Sequence, residues 1–289
     1  MMDAAWKDMQ AWNELRDLKE TRAAENERGA GAVKSTVTIR YYQSPSAFRR
    51  AGALTPPSLV FTYRLSPFMG CEQCDRQRNP YCFEHYNPWW RDGEIRVKTN
   101  TTALLQEVLG SGEDVGNILI DGFDNLFTER KTRILSECLA ILAENPLCVH
   151  IQASRLDLLV EYLPLLEPIR DRLTVWVSIA DDLTFQRDMV LALAGQGIKM
   201  VLSVLLFPFI NAGEDELAGI RRFAADNRLG IVFTWLRLQH DGPQRAAVLR
   251  WIEQRYGREV SVQYAALYPA DIPSGRFGRA PSLPLPRPF

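Results

Sequence analysis

Three cysteines fall within twelve residues, Cys71, Cys74 and Cys82, and His85 stands three residues after the last of them. Thiolates bind soft and borderline metals, so three in one short segment read as a metal-binding pattern. Two centres fit. With His85 as the fourth ligand, Cys71-x2-Cys74-x7-Cys82-x2-His85 has zinc-knuckle spacing and would close a tetrahedral site. Without it, three thiolates hold three irons of a cubic 4Fe–4S cluster and leave the fourth iron open. Spacing does not decide between zinc and iron–sulfur. The chain has five cysteines, an odd number. Its N-terminal MMDAAWKDMQAWNELRD carries acids and no apolar core. Both features argue against a secreted disulfide framework and place the expected compartment in the cytoplasm. Cys138 lies in a helical pattern and Cys148 opens an apolar run, and both read as core residues.

The remaining reactive side chains give weaker signals. His85 could serve as an acid–base group, though a surface or stacking role is simpler. Trp89 and Trp90 read as core or rim. His150 follows Val149 in an apolar run and is expected to satisfy a buried polar contact. His240 sits in a loop and is given no role. Asp181-Asp182 and Glu214-Asp215-Glu216 stand where helices open, where carboxylates meet the positive dipole end. No Ser-His-Asp order and no paired-carboxylate pattern rises above background.

The elements that would position these residues alternate along the chain. Strands are expected at residues 59–65, 117–120, 148–152, 174–179, 198–206, 230–235 and 260–264. Helices are expected at 101–109, 129–144, 155–169 (bent near Pro164 and Pro168), 183–194, 214–227 and 244–255. This alternation implies right-handed crossovers and a buried parallel sheet. Six or seven such units fit a complete or partial barrel, with a flat doubly wound sheet as the competitor. No GxGxxG or GxxxxGK[ST] follows a strand, which weakens nucleotide-binding versions of the latter. Residues 1–57 read as an extension whose first thirty residues form a helix with Trp6, Met9 and Trp12 on one stripe. Residues 58–268 form the main domain. Residues 269–289, with six prolines, form a tail without regular structure.

Charge bounds the partners. The 289 residues carry 34 Lys+Arg against 35 Asp+Glu, a net charge of −1. Such a chain lacks the field that gathers nucleic acid, so a small-molecule substrate is expected. No run of 18 apolar residues exists, so no membrane span is expected.

The stretch from Tyr63 to Cys74 (YRLSPFMGCEQC), closed by Tyr81-Cys82-Phe83-Glu84-His85-Tyr86, resembles the cluster loop of radical SAM enzymes. More narrowly it is similar to the branch of spore photoproduct lyase and the DNA repair photolyase-like proteins. The resemblance continues through Ile95-Arg96-Val97-Lys98-Thr99-Asn100 with Leu104-Leu105, then Asp121-Gly122-Phe123-Asp124 up to Thr128-Glu129, Ser154, and Val177-Ser178-Ile179. It spans roughly residues 58–238. It departs from the family at the cysteines, where C-x3-C-x2-C is replaced by C-x2-C-x7-C. A longer loop can still deliver the third thiolate, because loop extension costs only about 0.6 kcal/mol per doubling.

The resemblance implies an α/β partial (β/α)6 barrel of the TIM type. It implies a 4Fe–4S cluster on Cys71, Cys74 and Cys82 and S-adenosyl-L-methionine as cofactor, cleaved reductively to start radical chemistry. Tyr81 would then lie beside the adenine. The turn Asp121-Gly122-Phe123-Asp124 would offer backbone carbonyls to the methionyl ammonium. Ser154 and Ser178 would bond carboxylate or ribose hydroxyls, and Lys98 would meet the carboxylate. Flavodoxin or ferredoxin would supply electrons. The family also suggests a nucleic-acid lesion as substrate. The altered spacing admits cleavage to an aminocarboxypropyl radical. The rivals are an α/β protein with structural zinc and a scaffold that has lost its cluster.

Overall fold

The computed structural model describes residues 38–44, 48–50, 63–72, 80–82, 93–112, 114–180, 186–239, 243–268 and 277–278. The expected N-terminal helix lies outside the described residues, as do Cys74, His85, Trp89, Trp90, Asp181, Asp182, His240 and nearly all of the proline tail. Strands β1 (Thr38–Tyr42), β2 (Phe48–Arg50), β3 (Tyr63–Leu65), β4 (Phe68–Met69) and β5 (Glu94–Lys98) come first. Helix α1 (Thr101–Gly110), strand β6 (Asn117–Ile120) and helices α2 (Leu126–Thr132) and α3 (Ile134–Ala143) follow. Then come β7 (Cys148–Ala153), α4 (Leu156–Leu159), α5 (Leu163–Leu166), β8 (Leu173–Ile179), α6 (Arg187–Gly195) and β9 (Lys199–Leu206). The series ends with α7 (Glu214–Asp226), β10 (Gly230–Trp235), β11 (Leu238–Gln239), α8 (Pro243–Tyr256), α9 (Arg258–Leu267) and β12 (Phe277–Gly278).

Seven strands pair in the order β10-β9-β8-β7-β6-β3-β2. Strand β2 is antiparallel to β3, while β3, β6, β7 and β8 run parallel. The six strands β3 and β6 to β10 form a parallel sheet flanked by helices. They lie in chain order with no reversal. A doubly wound sheet needs a reversal to place helices on both faces, whereas right-handed crossovers in one continuous order keep every connection on one side. The described pairings do not join β10 to β2.

Because side chains alternate, the parallel register sorts them into rows. Leu65, Ile120, Ile151 and Val175 are paired neighbours on one face, all at zero exposure. Arg64, Leu119, His150 and Thr174 form the adjacent row on the other face, with Gln152 beside Trp176 further along. One face is therefore aliphatic and the other largely polar.

A three-stranded sheet, β1-β5-β4, is an addition that the sequence pattern did not reveal. Strand β1 is parallel to β5 and β4 antiparallel to it. Residues 38–50, counted with the extension in the sequence, thus supply strands to both sheets.

Two compact units are interleaved along the chain. The first holds residues 1–73, 93–177 and 185–201, and the second holds 74–92, 178–184 and 202–289. In the second, Phe207, Leu236, Leu238, Val248, Trp251, Ile252, Tyr264 and Tyr268 form the buried cluster. Tyr268 Oη donates to the Leu236 carbonyl at 2.9 Å. Arg245 donates to the carbonyls of Tyr268 and Ala265, which closes the end of α9.

Three expectations change. The strand expected at 260–264 is the middle of α9. Val260, Val262 and Tyr264 imitate a two-residue period, but Val262 is 61% exposed while Tyr264 is fully buried. The helix expected at 129–144 breaks at Arg133, whose φ is 57°. The cause is Glu129, buried at 3% exposure, whose carboxylate accepts the amides of Leu135 and Ser136 and so caps α3 from the preceding helix. The proline-bent helix becomes α4, α5 and two 3-10 segments, with Pro164 and Pro168 each opening a segment. No helix among the described residues is long and apolar enough to cross a membrane.

Candidate functional site

Cys71 follows β4 in the first unit, and the loop around it is fixed from three sides. Gly70 has φ +106°, and a Cβ there would lie 2.7 Å from the Glu94 carbonyl oxygen. Only glycine lets the backbone pass so close to β5. Asn125, in the turn that leaves β6, is buried at 3% exposure. Its Oδ1 accepts the Glu72 amide at 2.8 Å and its Nδ2 donates to the Gly70 carbonyl at 3.1 Å. The Glu72 carboxylate in turn accepts the amides of Phe127 and Thr128, at 3.0 and 2.6 Å, and the Thr128 hydroxyl. Cys71 itself is half-buried.

The turn Asp121-Gly122-Phe123-Asp124, which runs directly into Asn125, adjoins this loop in the structure. Asp121 Oδ2 accepts Arg64 Nε and Ser66 Oγ, both at 2.7 Å. Gly122 has φ +97°, with the Phe68 ring 2.8 Å from where a Cβ would be. Its carbonyl accepts the Asn125 amide at 3.0 Å, so it serves the turn itself. Phe123 is fully buried, edge-on to Tyr162 at 5.1 Å, and is a core residue. Asp124 accepts the Ser154 hydroxyl at 2.8 Å and the amides of Ser154 and Arg155. Burial raises its carboxyl above the usual carboxylate range, against the lowering effect of these three donors. Arg155 pairs with Asp157, and Gln186 bonds both the Asp157 carboxylate and the amides of Leu156 and Asp157.

The structure thus brings Asp124 and Ser154 together and sets Cys71 beside the same turn. Lys98 ends β5 in the three-stranded sheet, where its amide donates to the Pro67 carbonyl and its carbonyl accepts the Thr101 hydroxyl. Tyr81 belongs to the second unit, edge-on to Phe207 at 5.0 Å and to Trp251 at 5.6 Å. Its carbonyl accepts Gln244 Nε2. Cys82 and Ser178 are half-buried residues of the second unit. Among the described residues no three His, Cys, Asp or Glu side chains converge as a metal-binding group.

The other cysteines differ from one another. Cys138 is fully buried, and burial, then Glu129 and Glu137, pushes its thiol up to about 12. Cys148, expected in the core, is instead exposed at the amino end of β7. His150 makes the buried contact expected of it. Trp176 Nε1 donates to its Nδ1 at 3.2 Å, and burial, with a smaller effect from Lys199, brings the imidazole down to about 4.

Sequence reasoning missed Arg64, Glu72 and Asn125. A lone arginine within an apolar strand was the available signal for Arg64. Asn125 stands at the N-cap of α2, which opens ahead of the helix start expected at residue 129, and its side chain does not cap that helix. Comparison with protein-family models, curated proteins and solved structures finds no match to this chain.

Proposed function

We propose that this chain is a cytoplasmic radical SAM-type enzyme on a partial (β/α)6 barrel, acting on a small molecule. The observation that carries the reading is Cys71, half-buried and held beside the turn that leaves the carboxyl end of β6. Ligand sites in parallel α/β sheets lie beyond those ends. Thiolates are the ligands that a 4Fe–4S cluster takes. Cys71 and Cys82 are half-buried, whereas Cys138 is sealed in the core with its thiol pushed up to about 12. Cys71, Cys74 and Cys82 would hold the cluster. A 4Fe–4S cluster with S-adenosylmethionine supplies one-electron reductive cleavage of the sulfonium and hence radical chemistry.

The chain's own residues would bind and orient. Ser154, whose hydroxyl Asp124 orients, would bond carboxylate or ribose hydroxyls beyond β7. The polar sheet face supports a bound small molecule, because a filled barrel interior is built from branched aliphatic side chains. In this reading that face would line the interior, with Arg64, His150, Gln152 and Thr174 alongside Leu119 and Trp176. Arg64, fixed by Asp121, would orient a polar substrate group on that face. With His150 accepting from Trp176 at Nδ1, the imidazole proton resides on Nε2. Flavodoxin or ferredoxin fits as the reductant.

Anaerobic purification tests the reading. The protein should be brown with about four irons per chain, and Cys71→Ala, Cys74→Ala and Cys82→Ala should each lose most of that iron. Reduced with dithionite, it should convert S-adenosylmethionine to 5′-deoxyadenosine. 5′-Methylthioadenosine would indicate the aminocarboxypropyl route. A colourless protein holding one zinc that is lost in His85→Ala would overturn the enzyme reading.

A further inference from the structure

We propose that Asn125 is a positioning residue for Cys71, freed for that task because Glu72 has taken over the capping of α2. The inference rests on the reading of Cys71 as a ligand. Asn125 occupies the N-cap position of α2, and asparagine is among the best residues there because its side chain can accept the N2 or N3 amide. It makes no such bond. The N2 and N3 amides, those of Phe127 and Thr128, go to the Glu72 carboxylate, delivered from a loop more than fifty residues away in sequence. The Asn125 amide turns the other way and brackets Cys71, bonding the residue before it and the residue after it.

Each half of this exchange has a physical consequence. A primary amide has a donor end and an acceptor end, so it can satisfy a carbonyl and an amide at once. The two groups it satisfies are the Gly70 carbonyl and the Glu72 amide, so the peptide on each side of Cys71 is fixed. With both fixed, the Cα–Cβ direction of Cys71 is set by the β6–α2 turn and not by the loop. The left-handed Gly70 against the Glu94 carbonyl removes the remaining freedom at the amino side. A half-buried amide bracket of this kind places one thiol before any ligand arrives. Metal sites depend on such supporting hydrogen bonds.

The experiment pairs two variants, Asn125→Ala and Glu72→Gln, with two readouts. The first readout is iodoacetamide labelling of metal-free, reduced protein, mapped by peptide mass spectrometry as the rate at Cys71 relative to exposed Cys148. Asn125→Ala should raise that ratio at least about threefold, because the released loop exposes the thiol. Glu72→Gln weakens the α2 cap without removing the bracket, and should lower the unfolding midpoint while leaving the ratio unchanged. Asn125→Asp, which keeps the acceptor for the Glu72 amide, should fall between wild type and Asn125→Ala. The second readout is iron retained after anaerobic reconstitution, which Asn125→Ala should reduce toward the level of Cys71→Ala. An unchanged labelling ratio in Asn125→Ala overturns the proposal, as does an equal rise in Glu72→Gln. If Asn125→Ala does not fold, the ratios for the Asp and Gln variants decide. A wild-type protein that takes up no iron defeats the cluster reading, while the labelling ratio still judges the bracket.

Discussion

His150 makes the stability of this fold depend on pH in a calculable way. In the folded chain its Nδ1 accepts from Trp176 Nε1, and burial holds the imidazole near 4. In the unfolded chain it takes up a proton near the ordinary value of 6.5. Between those values the unfolded state binds more protons, so stability rises with pH across the window and is lost as pH falls from about 6.5 to about 4. Protonating Nδ1 would also set two N–H donors against each other. The gap sets an upper bound of roughly 3 kcal/mol. Because the ring stays partly solvated, screening reduces this to about 1–2 kcal/mol. The assay is urea unfolding of wild type and His150→Gln between pH 4 and 7, following helical circular dichroism. Carboxylates titrate in both proteins and cancel in the difference. The stability difference between the two should shift by about 1–2 kcal/mol in favour of wild type as pH rises from 4 to 7. A difference that stays constant over that range would show that the imidazole titrates alike in both states, and the argument would fail. An NMR titration placing the folded imidazole above 6 would refute it directly.

Two further outcomes are expected. Gly70→Ala should destabilise the first unit by roughly 2–4 kcal/mol, combining left-handed strain with a clash against the Glu94 carbonyl; a loss under about 0.5 kcal/mol in urea unfolding would mean that the close approach is not real. Cys138 should resist iodoacetamide at pH 8 in native protein while Cys148 reacts, and should label only in urea. Rapid native labelling of Cys138 would contradict its sealed position.

The sheet was legible where runs of apolar residues were short and bounded. Strands at 117–120 and 230–235 are found as expected, because Asn117–Ile120 and residues 231–235 are continuous buried or half-buried runs, each preceded by a glycine. Strand β1 was not legible because most of it is exposed, which leaves no apolar period to read. The break between α2 and α3 depends on one carboxylate bonding amides six and seven residues later, a contact that leaves the helical pattern of the sequence intact. In the site, residue type pointed to Cys71, and the resemblance pointed to the Asp121–Asp124 turn. Asn125 and Glu72 stayed hidden because each acts on a partner more than fifty residues away, and no local spacing encodes that pairing.

The unreversed strand order also bears on how the chain can fold as it is synthesised. From β6 onward, each new strand finds its place beside the one made just before it. A strand emerging from the ribosome therefore meets a finished edge and need not wait for sequence still to come. Such growth closes only short loops at each step, which keeps the entropic barrier low and leaves one strand edge exposed at a time. Strand β3 is the exception. It must hold its edge open until β6 arrives, across the whole segment that contains Cys71, Cys74, Cys82 and strands β4 and β5. The candidate site is thus built into the longest wait in the assembly of the sheet, the stage at which a chaperone or an early-bound metal would have the most to gain by holding the chain.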